Sequence, residues 1–202
     1  MQVLKLIQQH CPHDLPGRIG FWLGDGADGE VYSVEGLPSK VYKFGVLFDY
    51  TSHTPSEKYK GVDGVLSYLC ANPSPAYATV HSHTRLGQWY QPQYSGVPEP
   101  YILYYYSMER LQKLSEDERK VFHSILSHED HNIVKNYSVK KLQKMLQGME
   151  RGLDFDLEKV ISFSDNIKKT PISHGDLHPR NIMKDYRGNF KLIDFDRATL
   201  EK

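Results

Sequence analysis

Apolar residues recur at two different spacings along the 202-residue chain, and the predominant one changes after Leu111. Up to about residue 110 the pattern is that of short strands. Ile19 to Leu23, Glu30 to Glu35 and Lys40 to Phe44 are rich in β-branched and aromatic residues and are broken by Gly and Pro. One helix interrupts them. Ser56 is its candidate N-cap, and Val62, Val65, Leu66 and Leu69 keep helical spacing up to Asn72-Pro73. Two further strands are predicted near Tyr77 to His81 and Tyr101 to Ser107. The Gln-, Pro- and Gly-rich stretch Leu86 to Pro100 reads as a long loop or a hairpin, with substrate docking as a possible use.

After Leu111 the spacing becomes helical. Ser115 and Glu118 have the capping-box spacing ahead of Val121, Phe122, Ile125 and Leu126. Val139, Leu142, Met145, Leu146 and Met149 mark a second helix, and Leu157, Val160, Ile161 and Ile167 a third. Ile182 to Met183 and Phe190 to Ile193 then read as two short strands joined by a turn at Arg187-Gly188-Asn189. The predicted boundary falls near Met108 to Leu114.

Composition narrows the class without naming a chemistry. Lys plus Arg and Asp plus Glu are 25 each, so no net field favours nucleic acid or anionic lipid. Cys11 and Cys70 are the only cysteines, too few for a disulfide framework or a zinc cage. The start, MQVLKLIQQH, lacks a secretory apolar region, and no apolar run is long enough to span a bilayer. The expected location is therefore cytoplasmic, with no membrane or nucleic-acid partner. Ten histidines are present, but neither His81 with His83 nor His10 with His13 has the spacing of a zinc site.

Gly24-Asp25-Gly26-Ala27-Asp28-Gly29-Glu30-Val31 fits G-x-G-x-x-G-x-V. Glycines there let main-chain N–H groups approach phosphate oxygens. A dinucleotide-binding fingerprint would lead into a helix. Here a strand follows, Val31-Tyr32-Ser33-Val34, so a strand hairpin lying over a nucleotide is the better match. Lys43 is placed at the end of the next strand to hold α- and β-phosphates, with Glu57 or Asp63 as its acidic partner. Met108 to Leu111 could serve as a hinge whose main chain bonds an adenine edge, through Glu109 and Leu111.

The most specific signal is His174-Gly175-Asp176-Leu177-His178-Pro179-Arg180-Asn181, followed by Leu192-Ile193-Asp194-Phe195-Asp196. Phosphoryl transfer needs a carboxylate that orients the acceptor hydroxyl, which suits Asp176. It needs hard oxygen ligands for Mg²⁺, which suits Asn181 and Asp194.

On these residues, Gly24, Gly26, Gly29, Val31, Lys43, Glu109, Leu111, His174, Asp176, Asn181 and Asp194, the chain resembles the protein-kinase-like superfamily over roughly 18–198. Its His-Gly-Asp form, and Asp196 where protein kinases place Gly, are closer to the atypical and aminoglycoside-type branches. Six residues follow Asp196. Length and motif order together resemble the minimal HopBF-type bacterial effector kinases. That resemblance implies an α+β fold in one domain, 1–202. An N-lobe of about 1–110 would hold five antiparallel strands and one helix, and a reduced helical C-lobe about 111–202. ATP and Mg²⁺ would bind in the cleft between the lobes. It also implies a monomer that is secreted into a host cytosol and phosphorylates a protein, the eukaryotic ninety-kilodalton heat-shock chaperone. The alternatives are a small-molecule or lipopolysaccharide-sugar kinase and a nucleotide-binding pseudokinase.

Overall fold

A computed structural model describes residues 2–26, 29–48, 55–91, 99–126, 139–149 and 152–201. The chain is mixed α/β and divides into two compact units, Met1–Ala71 with Thr79–Arg110, and Asn72–Ala78 with Leu111–Lys202.

The first unit is built on a five-stranded antiparallel sheet. Its strands are β1 (Ile19–Asp25), β2 (Gly29–Val34), β3 (Leu37–Phe48), β4 (Val80–Gln91) and β5 (Glu99–Glu109), in the order β1-β2-β3-β5-β4. β3 is buried from Phe44 through Phe48 without alternation, because helices cover both of its faces. On one face α1 (Val3–His10) sets Val3, Ile7 and Cys11 against Phe44, Val46, Phe48, Tyr101 and Leu103. On the other, α2 (Pro55–Ala71) places Tyr59 edge-on to Tyr104, ring centroids 5.7 Å apart. Tyr104 lies over Gly45, where any Cβ would collide with the ring. Such aromatic pairs contribute about 0.5–1.5 kcal/mol beyond their buried area.

Three details of this unit depart from the sequence reading, and one choice left open there is resolved. α1 adds a second helix to the single one expected. α2 begins at Pro55, so Ser56 lies inside its first turn, and its hydroxyl bonds Gln88 Oε1 at 2.9 Å instead of capping. β4 starts at Val80 and not at Tyr77. Tyr77 forms an isolated bridge to Leu192 outside β4, and Ala78 N–H donates to Leu192 O at 2.8 Å, both within the second unit. Of the two readings of Leu86 to Pro100, the paired strands favour the hairpin: β4 runs on to Gln91, β5 starts at Glu99, and the two pair antiparallel. Residues 92–98 lie outside the described residues.

The second unit holds α3 (Glu116–Leu126), α4 (Val139–Gln147) and α5 (Leu157–Lys168) with the short strands β6 (Gln112–Lys113), β7 (Ile172–Ser173), β8 (Ile182–Lys184), β9 (Phe190–Leu192) and β10 (Thr199–Leu200). The capping box forms: Ser115 N–H donates to Glu118 Oε2 at 2.7 Å and Glu118 N–H to Ser115 Oγ at 3.2 Å. Lys184 from β8 also donates to Glu118, at 2.8 Å. Asp156 caps α5 by accepting from Lys159 N–H. Phe122 of α3 meets Phe163 of α5 and Phe190 of β9 edge-on, at 5.6 and 4.8 Å. β8 and β9 are joined as predicted by a turn at Arg187–Asn189. Asp185 Oδ1 accepts both the Arg187 and Asn189 N–H groups, at 2.8 and 2.9 Å, and Gly188 takes a φ of 78°. Among the described residues no helix is long and apolar enough to cross a membrane.

Candidate active site

In the second unit, the loop His174–Asn181 leaves β7 and closes with a 3₁₀ turn, Pro179–Asn181, that feeds β8. Asn181 is buried, and its side-chain nitrogen donates to the main-chain oxygen of Asp176 at 2.9 Å and to Oδ2 at 3.3 Å. The amide is thereby turned so that Oδ1 is its remaining acceptor. His178 Nδ1 accepts the Arg180 N–H at 3.0 Å. The proton of the neutral ring therefore sits on Nε2, which lies 3.6 Å from Asp176 Oδ2. Arg197 Nη1 stands 4.0 Å from Oδ1. Asp176 is thus a partly exposed carboxylate faced by an amide, an imidazole and a guanidinium.

The same loop holds the segment that carries Asp194. Ile193 N–H donates to Asn181 O at 2.9 Å, and Ile193 O accepts from His174 Nε2 at 2.7 Å. Ile193 is therefore fixed on both sides of its peptide. The next residue, Asp194, is held in the left-handed region at φ 66°, a conformation that persists only where its surroundings enforce it. His174 is buried, and burial pushes its imidazole below the ordinary range. Main-chain contacts with Ile193 and Asp176 and the charges of Asp194 and Asp176 act the other way without reversing it. A neutral ring donating through Nε2 follows. Gly175 carries a positive φ of 71°, and a Cβ there would collide with the Arg197 carbonyl oxygen. The glycine of His-Gly-Asp is thus explained by the return of the chain past Phe195.

Among the described residues no group of three or more His, Cys, Asp or Glu side chains could hold a metal ion alone. A Mg²⁺ site does not require one. Mg²⁺ is held through one or two protein oxygens with water and phosphate completing the octahedron. Asn181 Oδ1 and the Asp194 carboxylate fit that donor set.

In the first unit, Gly24 lies at the end of β1 and Gly29 begins β2, and Gly26 N–H donates to Gly29 O at 2.9 Å. Residues 27–28 lie outside the described residues. Among the described residues an added Cβ at Gly24 or Gly26 would meet nothing within 4 Å, whereas at Gly29 it would meet Phe44 O at 2.5 Å and Lys43 Cε at 3.1 Å. Gly29 is required by the close pairing of β2 with β3. Lys43 is buried on β3, paired in register with Val31 on β2 and Tyr106 on β5, its Nζ 6.0 Å from the Tyr106 ring centroid. Of the two acids considered for it, Asp63 faces His83 at 3.3 Å, and burial and the Asp63 charge together push the Tyr59 phenol up. Glu57 sits in the first turn of α2. At the proposed hinge, Glu109 N–H donates to Thr79 O at 2.9 Å and its Oε1 accepts Thr79 N–H at 2.7 Å. Arg110 N–H donates to Ser39 O at 2.7 Å. Glu109 therefore joins β5 to the start of β4, and its N–H is already committed. Leu111 belongs to the second unit, one residue before β6.

His178 and Arg197 were given no role from sequence. His178 lies inside the octet and could have been found by asking what faces Asp176. Arg197 carries no local signal, because it reaches Asp176 only through the turn that follows Asp194.

No family model matches the sequence, and no curated protein matches it. Among solved structures the chain is similar to WbdD, at 16% identity and a TM-score of 0.49 over 94% of this chain and 35% of that one. It is similar also to WbdD crystallised with the kinase inhibitor LY294002, at 16% identity and a TM-score of 0.43 over 93% of this chain and 34% of that one. The chain thus spans about a third of the length of the solved structures it matches.

Proposed function

We propose that this chain is a phosphotransferase that moves the γ-phosphate of ATP to a hydroxyl acceptor. The observation that carries the reading is the shared clamp on Ile193. One loop supplies Asp176 and Asn181, and by its own main chain and His174 it also fixes the residue preceding Asp194. A base position and two hard oxygen donors are thereby held as one rigid unit, which is what positioning-dominated phosphoryl transfer requires.

In this reading Asp176 orients the acceptor hydroxyl and takes its proton at a carboxylate oxygen. Asn181 has its nitrogen tied to Asp176, which keeps Oδ1 for the cation, and Asp194 supplies the second oxygen. Mg²⁺, when bound, neutralises phosphate charge as the transfer proceeds. The glycine-rich tip, Lys43 and Val31 are assigned to the phosphates and nucleotide, as the resemblance implies. The acceptor we favour is a protein hydroxyl, with the eukaryotic ninety-kilodalton heat-shock chaperone as the first protein to test. A small-molecule or sugar hydroxyl is the alternative outcome.

The test is labelled ATP with Mg²⁺ in a eukaryotic lysate, for the wild type and Asp176→Ala. One labelled protein band from the wild type supports protein phosphorylation, and no band directs the search to small acceptors. Asp176→Ala should lower turnover by roughly 10²–10⁴-fold, the usual contribution of a positioned acid or base, with an unchanged circular dichroism spectrum. Near-normal turnover in that variant would overturn the assignment.

A further inference from the structure

The glycine-rich hairpin is tied to a helix that the phosphotransfer chemistry does not use. α1 starts without a cap of its own. Gln2 makes no side-chain bond to it, and its first turn carries no acid. Its first free N–H groups go instead to Glu30, far along the chain. Val3 N–H donates to Glu30 Oε1 at 3.0 Å and Leu4 N–H to Oε2 at 3.0 Å, and the Tyr32 hydroxyl donates to Oε2 at 3.2 Å. Glu30 is 6% exposed. A carboxylate so buried is tolerable only when multiply hydrogen-bonded, and a helix N-terminus is a favourable place for it.

Position makes this more than a cap. Glu30 is the second residue of β2 and follows Gly29 directly. It is paired with Asp25 on β1 and Phe44 on β3. Cross-strand partners share a face and neighbours along a strand face opposite sides. Glu30 and Phe44 therefore lie on the face that α1 covers, while Val31 and Lys43 lie on the other. The far end of α1 is fixed as well, by the His10 ring on the Tyr101 hydroxyl at 2.9 Å and by Cys11 in the core. The hairpin is thus held from the α1 side, at the first residue after its glycines, while Val31 and Lys43 occupy the opposite face.

We infer that Glu30 is a positioning residue, which through the first N–H groups of α1 holds Gly29, and with it Gly24 and Gly26 across the β1–β2 pairing, in the geometry needed to bind nucleotide phosphates. This rests on the phosphotransferase reading. α1 then acts as a brace whose docking sets nucleotide affinity, and any partner that lifted α1 off the sheet would weaken ATP binding without touching Asp176, Asn181 or Asp194. The raised Tyr32 phenol, at about 12 through burial and the adjacent Glu30 charge, gives the contact a spectroscopic signature.

The test uses the full chain with Glu30→Gln, which keeps shape and removes charge, and with Leu4→Pro, which deletes one donor in the first helical turn where proline is tolerated. Three quantities are read: amide hydrogen exchange across 24–31, Mg-ATP affinity by calorimetry together with the KM and kcat for ATP, and tyrosine ionisation by ultraviolet titration. For Glu30→Gln we expect faster exchange at 24–31, ATP affinity reduced about tenfold as a KM effect with kcat largely held, and one tyrosine ionising at lower pH. Leu4→Pro should repeat the first two in weaker form, which keeps the inference testable if Glu30→Gln does not fold. Unchanged exchange, or faster exchange with unchanged ATP affinity, overturns the inference alone. A wild-type protein that binds no Mg-ATP overturns the phosphotransferase reading with it.

Discussion

Gly175 and Gly188 offer a controlled pair, because both lie in the second unit and both are left-handed, with φ of 71° and 78°. Alanine at either site adopts a conformation costing an L-residue about 1–2 kcal/mol. A narrower unfolded ensemble offsets about 0.4–1 kcal/mol of that. The net loss from backbone conformation is therefore about 1 kcal/mol at each. The surroundings differ. At 188 the new Cβ would meet only Lys159 Nζ, at 2.9 Å, the end of a long side chain that can swing aside. At 175 it would meet the Arg197 carbonyl oxygen, with the carbonyl carbon at 3.0 Å behind it. Main chain must move there, which adds about 1–3 kcal/mol, as overpacking does. Gly175→Ala should thus lose about 2–4 kcal/mol and Gly188→Ala about 1. With a urea slope of roughly 2 kcal/mol per molar, the midpoints should fall by about 1–2 M and about 0.5 M. Urea titration followed by far-ultraviolet circular dichroism reads both. Equal midpoints for the two variants would refute the claim that the Arg197 main chain selects glycine at 175.

Acid should destabilise the second unit in two stages. His174 has a folded pKa below its ordinary 6.5, chiefly through burial. The unfolded chain therefore takes the proton first, and the stability present above 6.5 is lost as pH falls through the folded value. Burial would raise Glu118 and Asp185, but hydrogen bonds from Lys184 and Ser115 to the first, and from Asn189 and Arg187 to the second, hold both below their ordinary 4.5 and 3.8. Their contribution is present above those values and lost below them. Thermal midpoints against pH should show both declines, and His174→Gln should flatten the first; an identical first decline would refute the assignment. Asp156→Ala removes the N-cap of α5 and should cost about 1 kcal/mol, or roughly 2–4 °C in Tm. An unchanged melt would refute a capping role.

The local elements were legible wherever side-chain spacing alone sets them. The capping box at Ser115 and Glu118, the Arg187–Asn189 turn and the strand following Gly29 each depend on residues within four positions of one another. α1 was hidden because eight residues carry too few repeats of the Val3–Ile7–Cys11 spacing to stand out. It is stable as part of a sheet, not as a helix by itself. Tyr77 shows the opposite failure. Its aromatic and β-branched neighbourhood has strand character, yet its partner is Leu192, which no local pattern could name. In the candidate site the octet and Asp194 could be picked out by residue type, since carboxylate and amide oxygens are what the proposed phosphoryl transfer would need.

Sequence by itself determined most of the elements, though not α1 or the start of β4, together with the placing of the glycines before a strand and the residue types available for chemistry. Only the tertiary structure decided what each of them faces. It turned the Asn181 amide onto Asp176, set Ile193 under His174, brought Arg197 back over Gly175 and put Glu30 at the start of α1. Local spacing is written into a short stretch of chain, whereas these contacts join residues brought together by chain reversal. They exist only once the sheet and helices have closed around them.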